Sequence, residues 1–397
     1  MKTLFFCNLI PLKSGAFEAL LAAIGVEFRK AGDEFVVVFA GEPVEPVAAA
    51  LREAGVRWRL IEGWSEGHGR EHAWHFVRPA LALLRQERPD VAVVHFGNEF
   101  PTLAVSLLAR LTLSPRPRWV WQQDQQIRDP GAVGRRLSRI RSLLLGVDRY
   151  VAVYDGGRRS LLKRGIPDGR ISVIYNSIAP HAPLRSRGWL RAELGLAPQA
   201  TLIVSTGSLI PRKRQDFVLR ACARLKDRSV TDWRLLVIGD GPERQPLLAL
   251  ADQLGLKGRV HFLGLRSDVR EILAEADVLV HASLAETCTY AITESMAAGI
   301  PAVVTEAGAS REQIVSGITG HVLAAEDIEG FAARLAELVD DGASRLAMGQ
   351  AAKQRWMERY RLEVAAGQYW TLYASLCRPG ATSGDSATAS SQGRRVP

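Results

Sequence analysis

Cysteine is scarce in this sequence. Its 397 residues hold four (Cys7, Cys222, Cys288, Cys377), scattered and without a Cys-x-x-Cys pair. That argues against a disulfide framework or a zinc knuckle and for a reducing compartment. Long hydrophobic runs are missing as well: no apolar stretch reaches the roughly 18 residues a membrane-spanning helix needs. The opening "MKTLFFCNLIPLKSG" has a lysine and a short apolar run, as a signal peptide would. Pro11 and Lys13 break it early, and no small-x-small cleavage site follows at once. A buried first strand in a cytoplasmic protein is the expectation. The net charge of +9 favours polyanionic or membrane-surface partners only weakly. Neither a groove-entering element nor stacking aromatics accompany that charge, so nucleic acid is not an expected partner.

What is present is globular. A hydrophobic fraction of 47% with 23% charged residues is ordinary folded composition, and 397 residues suit two domains better than one core. Short β-branched runs alternate with amphipathic stretches. The strand candidates begin with "TLFFCNL", "EFVVVFA", "VRWRLI", "DVAVVHF", "RWVWQQ", "RYVAVY" and "ISVIYN". A second series comprises "TLIVSTG", "RLLVIGD", "RVHFLG", "DVLVHAS", "PAVVTE" and "GHVL". Helical patterns fall at 16–30, 72–87 and 100–112, then at about 215–226, 243–254, 268–275, 290–298 and 327–340. Such alternation predicts an α/β protein with two Rossmann-like, doubly wound parallel sheets, whose ligand crevices open at the strand carboxyl ends. The expected division is a first domain over 1–178, a linker over 179–200 and a second domain over 201–376 that includes the terminal helices. The tail 377–397 has too little apolar content to fold.

Three features of the second half could reach a phosphate-rich ligand. In "STGSLIPRKRQD", Gly207 and Ser208 follow a strand, and Arg212 and Lys213 stand just before a helix, where cations and free N–H groups suit a diphosphate. In "VIGDGPERQ", Gly239 and Gly241 separate a strand from a helix, but Arg244 occupies the third glycine position of a dinucleotide fingerprint. Either stretch could equally be a tight strand-to-helix turn. In "SLAETCTYAITESMAAGIP", Glu286 falls on the loop after a buried strand and Glu294 in the first turns of the next helix. Both carboxylates can then face one crevice and accept from the vicinal hydroxyls of a sugar or ribose. The helix start at Thr289 and Tyr290 offers N–H groups to a phosphate. The plainer reading of the pair is a solvated loop glutamate and a helix-flank glutamate.

Together, "STGSLIPRKRQ", "LLVIGDGPERQPL", "VHFLG", "ADVLVHASLAETCTYAITESMAAGIPAVVT" and "SGITGHVL" resemble the C-terminal half of glycosyltransferase family 4. That family has the GT-B fold, two Rossmann-like domains facing across a cleft, and retaining, metal-independent chemistry. "SGAFEALLAAIGVEFRKAGDEFVVV", "RPDVAVVHF" and "VDRYVAVYDGGRRSLLKRGIP" resemble its first half more loosely. The resemblance implies transfer of a sugar from a UDP- or GDP-sugar to a hydroxyl of a glycan, a glycolipid or a small molecule, with no cofactor. It makes Glu286 and Glu294 the two acids of the family's E-x7-E motif. Glu286 would contact the donor sugar and Glu294 the ribose, while Lys213 and Arg212 neutralise the leaving diphosphate. Gly15 would approach the phosphates from the first domain, and Gly264 and Leu265 would bracket the base. Ser208 stands where the family has arginine, Thr287 and Thr289 replace two glycines, and Gln123 replaces a histidine before Asp124. His95, Asn98, Glu99, Gln123 and Asp124 are the implied acceptor contacts.

Other readings stay open. A silent sugar-nucleotide-binding subunit or a sugar-nucleotide epimerase would share the fold. His68-x-x-Glu71-His72 has the order of an inverted zinc-peptidase motif, although Gly67 and Gly69 disfavour the helix that metal binding requires. "GRRLSRIRSLLLGVDRY" (134–150) is basic and amphipathic, which suits either peripheral contact with an anionic membrane or a core-packed helix.

Overall fold

The computed structural model describes residues 1–12, 15–62, 70–95, 99–123, 146–226 and 228–377, with the side chains of 70–75, 99–103 and 123 outside that description. Asn98, Asp124, His68, residues 378–397 of the tail and most of the segment 134–150 therefore lie outside the described residues, as do the side chains of Glu71, His72, Glu99 and Gln123.

Two fully parallel sheets form. The first contains β1 (Lys2–Cys7), β2 (Glu34–Phe39), β3 (Arg57–Leu60), β4 (Val91–His95), β5 (Arg118–Gln123), β6 (Arg149–Ala152) and β7 (Ile171–Val173). Its strand order is β3-β2-β1-β4-β5-β6-β7. The second contains β8 (Thr201–Thr206), β9 (Trp233–Ile238), β10 (Val260–Gly264), β11 (Val278–His281), β12 (Ala302–Thr305) and β13 (Gly320–Leu323). Its order is β10-β9-β8-β11-β12-β13. In both, the order reverses beside the first strand of the series, between β1 and β4 and between β8 and β11. Crevices open there, at the carboxyl ends of the strands.

The strands read as continuous apolar runs because helices cover both faces. Along β2, Phe35, Val37 and Phe39 pack on one side of the sheet while Val36 and Val38 pack on the other. The second sheet repeats this, with Leu235 and Val237 on one face of β9 and Leu236 and Ile238 on the opposite face. Alternation of side chains with a period of two puts neighbouring residues into different cores.

The last helix, Leu362–Cys377, departs from the expected division. Chain order places it with the second domain, but Leu362, Ala365, Tyr369 and Tyr373 pack in the core of the first sheet with Phe5, Phe28 and Phe35. Trp370 Nε1 donates to Asp33 Oδ2 at 2.8 Å, and the amino terminus binds the other oxygen of Asp33 at 2.6 Å. The chain thus passes between the halves twice, and the two passages touch. Ile178 N donates to Tyr360 O at 3.1 Å and Leu362 N to Ile178 O at 3.0 Å. Burying a helix face of tyrosine and leucine stabilises more than solvating it would, and the second sheet's faces are already covered. A second contact between the halves is apolar: Val153 and Tyr154 pack against Cys288 and Ala309.

Candidate active site

Glycine geometry shapes the mouth of the second sheet. Gly207, at the end of β8, has φ +136°, and Gly239, at the end of β9, has φ +135°. A Cβ at Gly239 would stand 2.0 Å from Gly207 O, and one at Gly241 would stand 2.4 Å from Leu209 O. Leu209 N donates to Asp240 O at 2.9 Å, and Gly239 N to Gly264 O at 2.8 Å. The "VIGDGPERQ" glycines therefore let one loop lie against its neighbour, and they brace the 207–213 loop from behind. The turn Pro211–Lys213 then carries Arg212 and Lys213 to the loop that follows β11.

Glu286 is where charge gathers. Its Oε1 lies 2.5 Å from Lys213 Nζ, 3.3 Å from Arg212 Nη1 and 3.3 Å from His281 Nε2. The side chain is only 12% exposed, so these contacts are weakly screened. Burial alone would raise its carboxyl, but His281 and Lys213 outweigh burial and hold it at about 2. Arg212 also donates to Ala285 O, and its own carbonyl accepts from Leu284 N at 2.9 Å and Ser283 Oγ at 3.1 Å. The two loops are tied together by main chain as well as by charge.

Glu294 sits eight residues on, in the helix Tyr290–Ala298. It lines a cavity of about 420 Å³ that both halves build, with Gly15, Ala16 and Glu18 from the first and Val269 and Arg270 from the second. Gly15 N donates to Glu18 Oε2 at 3.0 Å, and Arg270 Nη2 to Ala179 O at 2.6 Å. Burial pushes the Glu294 carboxyl up, opposed by Arg270. The two acids thus have opposite characters, one held ionised by cations and one biased toward its neutral form.

The structure brings Glu286 together with Lys213 and Arg212, and Glu294 together with Gly15. The residues lining the cavity include Glu294 and Gly15 but neither Glu286 nor Lys213. One segment, 286–294, joins the two groups. Ser208 is exposed beside Gly207, and Leu265, after Gly264, is 81% exposed on the loop that follows β10. Thr289 differs from expectation: its N–H donates to Gln313 Oε1 at 3.2 Å and its carbonyl accepts from Gln313 Nε2 at 2.9 Å. The Thr289 N–H at this helix start is thus already engaged by a side chain of the same half.

His95 also differs. It is fully buried at the end of β4, stacked on Phe17 with ring centroids 4.4 Å apart and planes 7° from parallel. Burial depresses its imidazole to about 3. The ring thus has no exposed surface in this structure, and its position is that of a core residue at the end of β4. Three residues near the site escaped the sequence reading. His281 had a visible signal, since it ends a buried strand five positions before Glu286. Arg270 and Gln313 had none, because tertiary packing alone brings them to residues 294 and 289.

Comparison with known proteins agrees with this architecture. A family model described as "Glycosyltransferase Family 4" matches residues 18–181, and one described as "Glycosyl transferases group 1" matches residues 187–355. N-acetyl-alpha-D-glucosaminyl L-malate synthase of Bacillus anthracis is 30% identical over 213 residues, covering 53% of this chain and 55% of that protein. D-inositol 3-phosphate glycosyltransferase of Rhodococcus opacus is 32% identical over 311 residues, covering 74% of this chain and 64% of that one. The chain thus spans between about half and two thirds of the length of these two curated relatives. Among solved structures, a glycosyltransferase from Rickettsia africae superposes with a TM-score of 0.78 at 16% identity, covering 95% of this chain and 99% of the other. Anabaena HepE in complex with UDP-glucose superposes with a TM-score of 0.73 at 19% identity, covering 94% and 100%.

Proposed function

The chain belongs to the glycosyltransferases of family 4 with GT-B architecture, and from that premise we propose that it moves a sugar from a nucleoside-diphosphate donor to an acceptor hydroxyl, retaining anomeric configuration and requiring no metal. The observation that carries this reading is the pairing of two sites on one segment. Glu294 faces Gly15 in a cavity shared by both halves, and eight residues earlier Glu286 is ringed by Lys213, Arg212 and His281. A nucleotide seated in the cavity places its ribose hydroxyls at Glu294, a strong acceptor once ionised. Its diphosphate then points toward Lys213, which exchanges Glu286 for phosphate oxygens.

Transfer breaks the bond between the anomeric carbon and the phosphate oxygen, whose electron pair stays on the diphosphate. The acceptor oxygen bonds the same face of the sugar, and its proton passes to a diphosphate oxygen. Lys213 and Arg212 stabilise the developing negative charge in a water-poor site. Glu286, kept ionised, faces the positive character growing on the sugar. Neighbours solved with UDP and with UDP-glucose support a uridine nucleotide as donor. A lipid-linked acceptor would suit the basic segment 134–150 and would bring the protein to the inner face of a membrane. No helix among the described residues is long and apolar enough to cross one.

A thermal-shift screen of UDP-, GDP- and ADP-sugars tests the donor site. At about 100 times its dissociation constant a ligand adds ~2.7 kcal/mol to the folded state. One nucleotide class should raise the melting temperature, and Glu294→Ala should remove the rise. A rise that survives Glu294→Ala would overturn the ribose contact. Transfer by the protein with inversion at the anomeric carbon, read by NMR of the product, would overturn retention.

A further inference from the structure

Glu312 lies in the short helix Ser310–Gln313 of the second half, yet its carboxylate serves the first. Its Oε2 accepts from Asp155 N at 2.7 Å and its Oε1 from Gly156 N at 3.1 Å. These are orphan amides at the start of the helix Asp155–Lys163, which has no side-chain cap of its own. Arg159 Nη2, one turn along, stands 3.7 Å from the same carboxylate. A negative charge at a helix N-terminus is favourable, and this one is only 17% exposed. Its own backbone is anchored to the second half, because Glu312 O accepts from Arg355 Nη2 at 2.6 Å and Tyr360 Oη at 2.9 Å.

The residues on either side of Glu312 hold the site segment. Gln313, fully buried, binds both backbone groups of Thr289 and Thr293 Oγ1 at 2.9 Å, which fixes the start of the helix carrying Glu294. Ala309 N donates to Thr287 O at 2.7 Å. Gly308 has φ +54°, and a Cβ there would stand 2.4 Å from Glu286 O and 2.3 Å from Thr287 O. The first half touches the same segment directly, through Asn176 Nδ2 donating to Cys288 O at 3.1 Å and through the packing of Val153 and Tyr154 on Cys288 and Ala309.

We propose that Glu312 is a positioning residue: by capping a first-half helix from the 308–313 turn, it couples the seating of the two halves to the shape of the segment between Glu286 and Glu294. This rests on reading that segment as the donor site. Rigid-body movement of the first half pulls on Glu312, and the 308–313 turn passes the displacement to residues 286–289 through hydrogen bonds already in place.

Amide hydrogen exchange of the full chain, compared among wild type, Glu312→Ala and Glu312→Gln, tests the coupling without any assay of activity. Glu312→Ala should speed exchange at 155–156 and also at 286–294. Glu312→Gln retains one acceptor oxygen and should fall between the two. Asp327 is a control, since it caps the helix Ile328–Asp340 through Gly330 N at 2.8 Å within one half. Asp327→Ala should loosen its own helix and leave 286–294 as in wild type. UDP serves as the ligand probe, and its affinity should weaken about tenfold in Glu312→Ala and less in Glu312→Gln. Faster exchange confined to 155–163, with 286–294 unchanged, would overturn the proposal. If wild type does not bind UDP, the uridine-donor reading fails, while the exchange comparison still decides the coupling.

Discussion

The two sheets end their equivalent strands in the same residue. β4 closes "VAVVH" on His95 and β11 closes "VLVH" on His281, each beside the strand where its sheet reverses order. One ring is sealed under Phe17 and pushed down to about 3 by burial. The other touches a carboxylate that also holds a lysine and an arginine. Equal strands and equal positions do not give equal roles. The neighbours of each strand end decide the role: β11 leads into Glu286, which faces the cations of the 207–213 loop, whereas Phe17 of the helix Ala16–Lys30 covers His95.

The largest effect expected from this contrast is on Lys213. Lys213→Ala should lower the transfer rate about 10²–10³-fold with folding retained, because the leaving diphosphate loses its nearest cation. Single-turnover kinetics on a UDP-sugar would check it, and a loss confined to KM would assign Lys213 to ground-state binding alone. The pH dependence of stability should separate the two acids next. Glu286 is held below its ordinary 4.5, at about 2, so its contribution is complete above 4.5 and is lost as pH falls from there toward 2. Glu294 is raised, so ionising it in the fold opposes stability, and that penalty appears as pH rises above 4.5 through its folded value. Unfolding midpoints measured across pH should show Glu286→Gln flattening the acid limb. Glu294→Gln should raise the midpoint at neutral pH while nucleotide binding is lost. The smallest effect belongs to His95. Phenylalanine can keep the stack on Phe17 but is larger than histidine in a closed core, so His95→Phe should cost about 1–3 kcal/mol of stability and leave activity within a few-fold. A collapse of activity in a folded His95→Phe protein would restore a ligand role to that ring and erase the contrast.

Much of the fold was legible because it is written locally. The helices 16–30, 215–226 and 290–298 coincide with their amphipathic stretches, and each candidate strand overlaps an observed one, with β1 and β9 starting one residue before their candidates. The acids at 286 and 294 could be placed on a loop and a helix because a buried strand and a helix-ending glycine bracket them. Their environments could not be read this way. Spacing indicated that both could face a crevice, but not that one would be clasped by three cations or imidazoles and the other half-buried opposite Arg270. Nor did "VIGDGPERQ" reveal whether its glycines served a ligand or a neighbouring loop. A positive φ and a 2.0 Å approach to Gly207 O are properties of the assembled pair.

Sequence by itself determined two parallel sheets in tandem, because strand burial and helix amphipathicity repeat over a few residues and need no distant partner to be recognised. Only the tertiary structure decided that the last helix returns to the first sheet, that Arg270 reaches the cavity of Glu294, and that Glu312 caps a helix 156 residues earlier in the chain. Those contacts join elements far apart in sequence, and their energy depends on which faces remain uncovered once both sheets have formed.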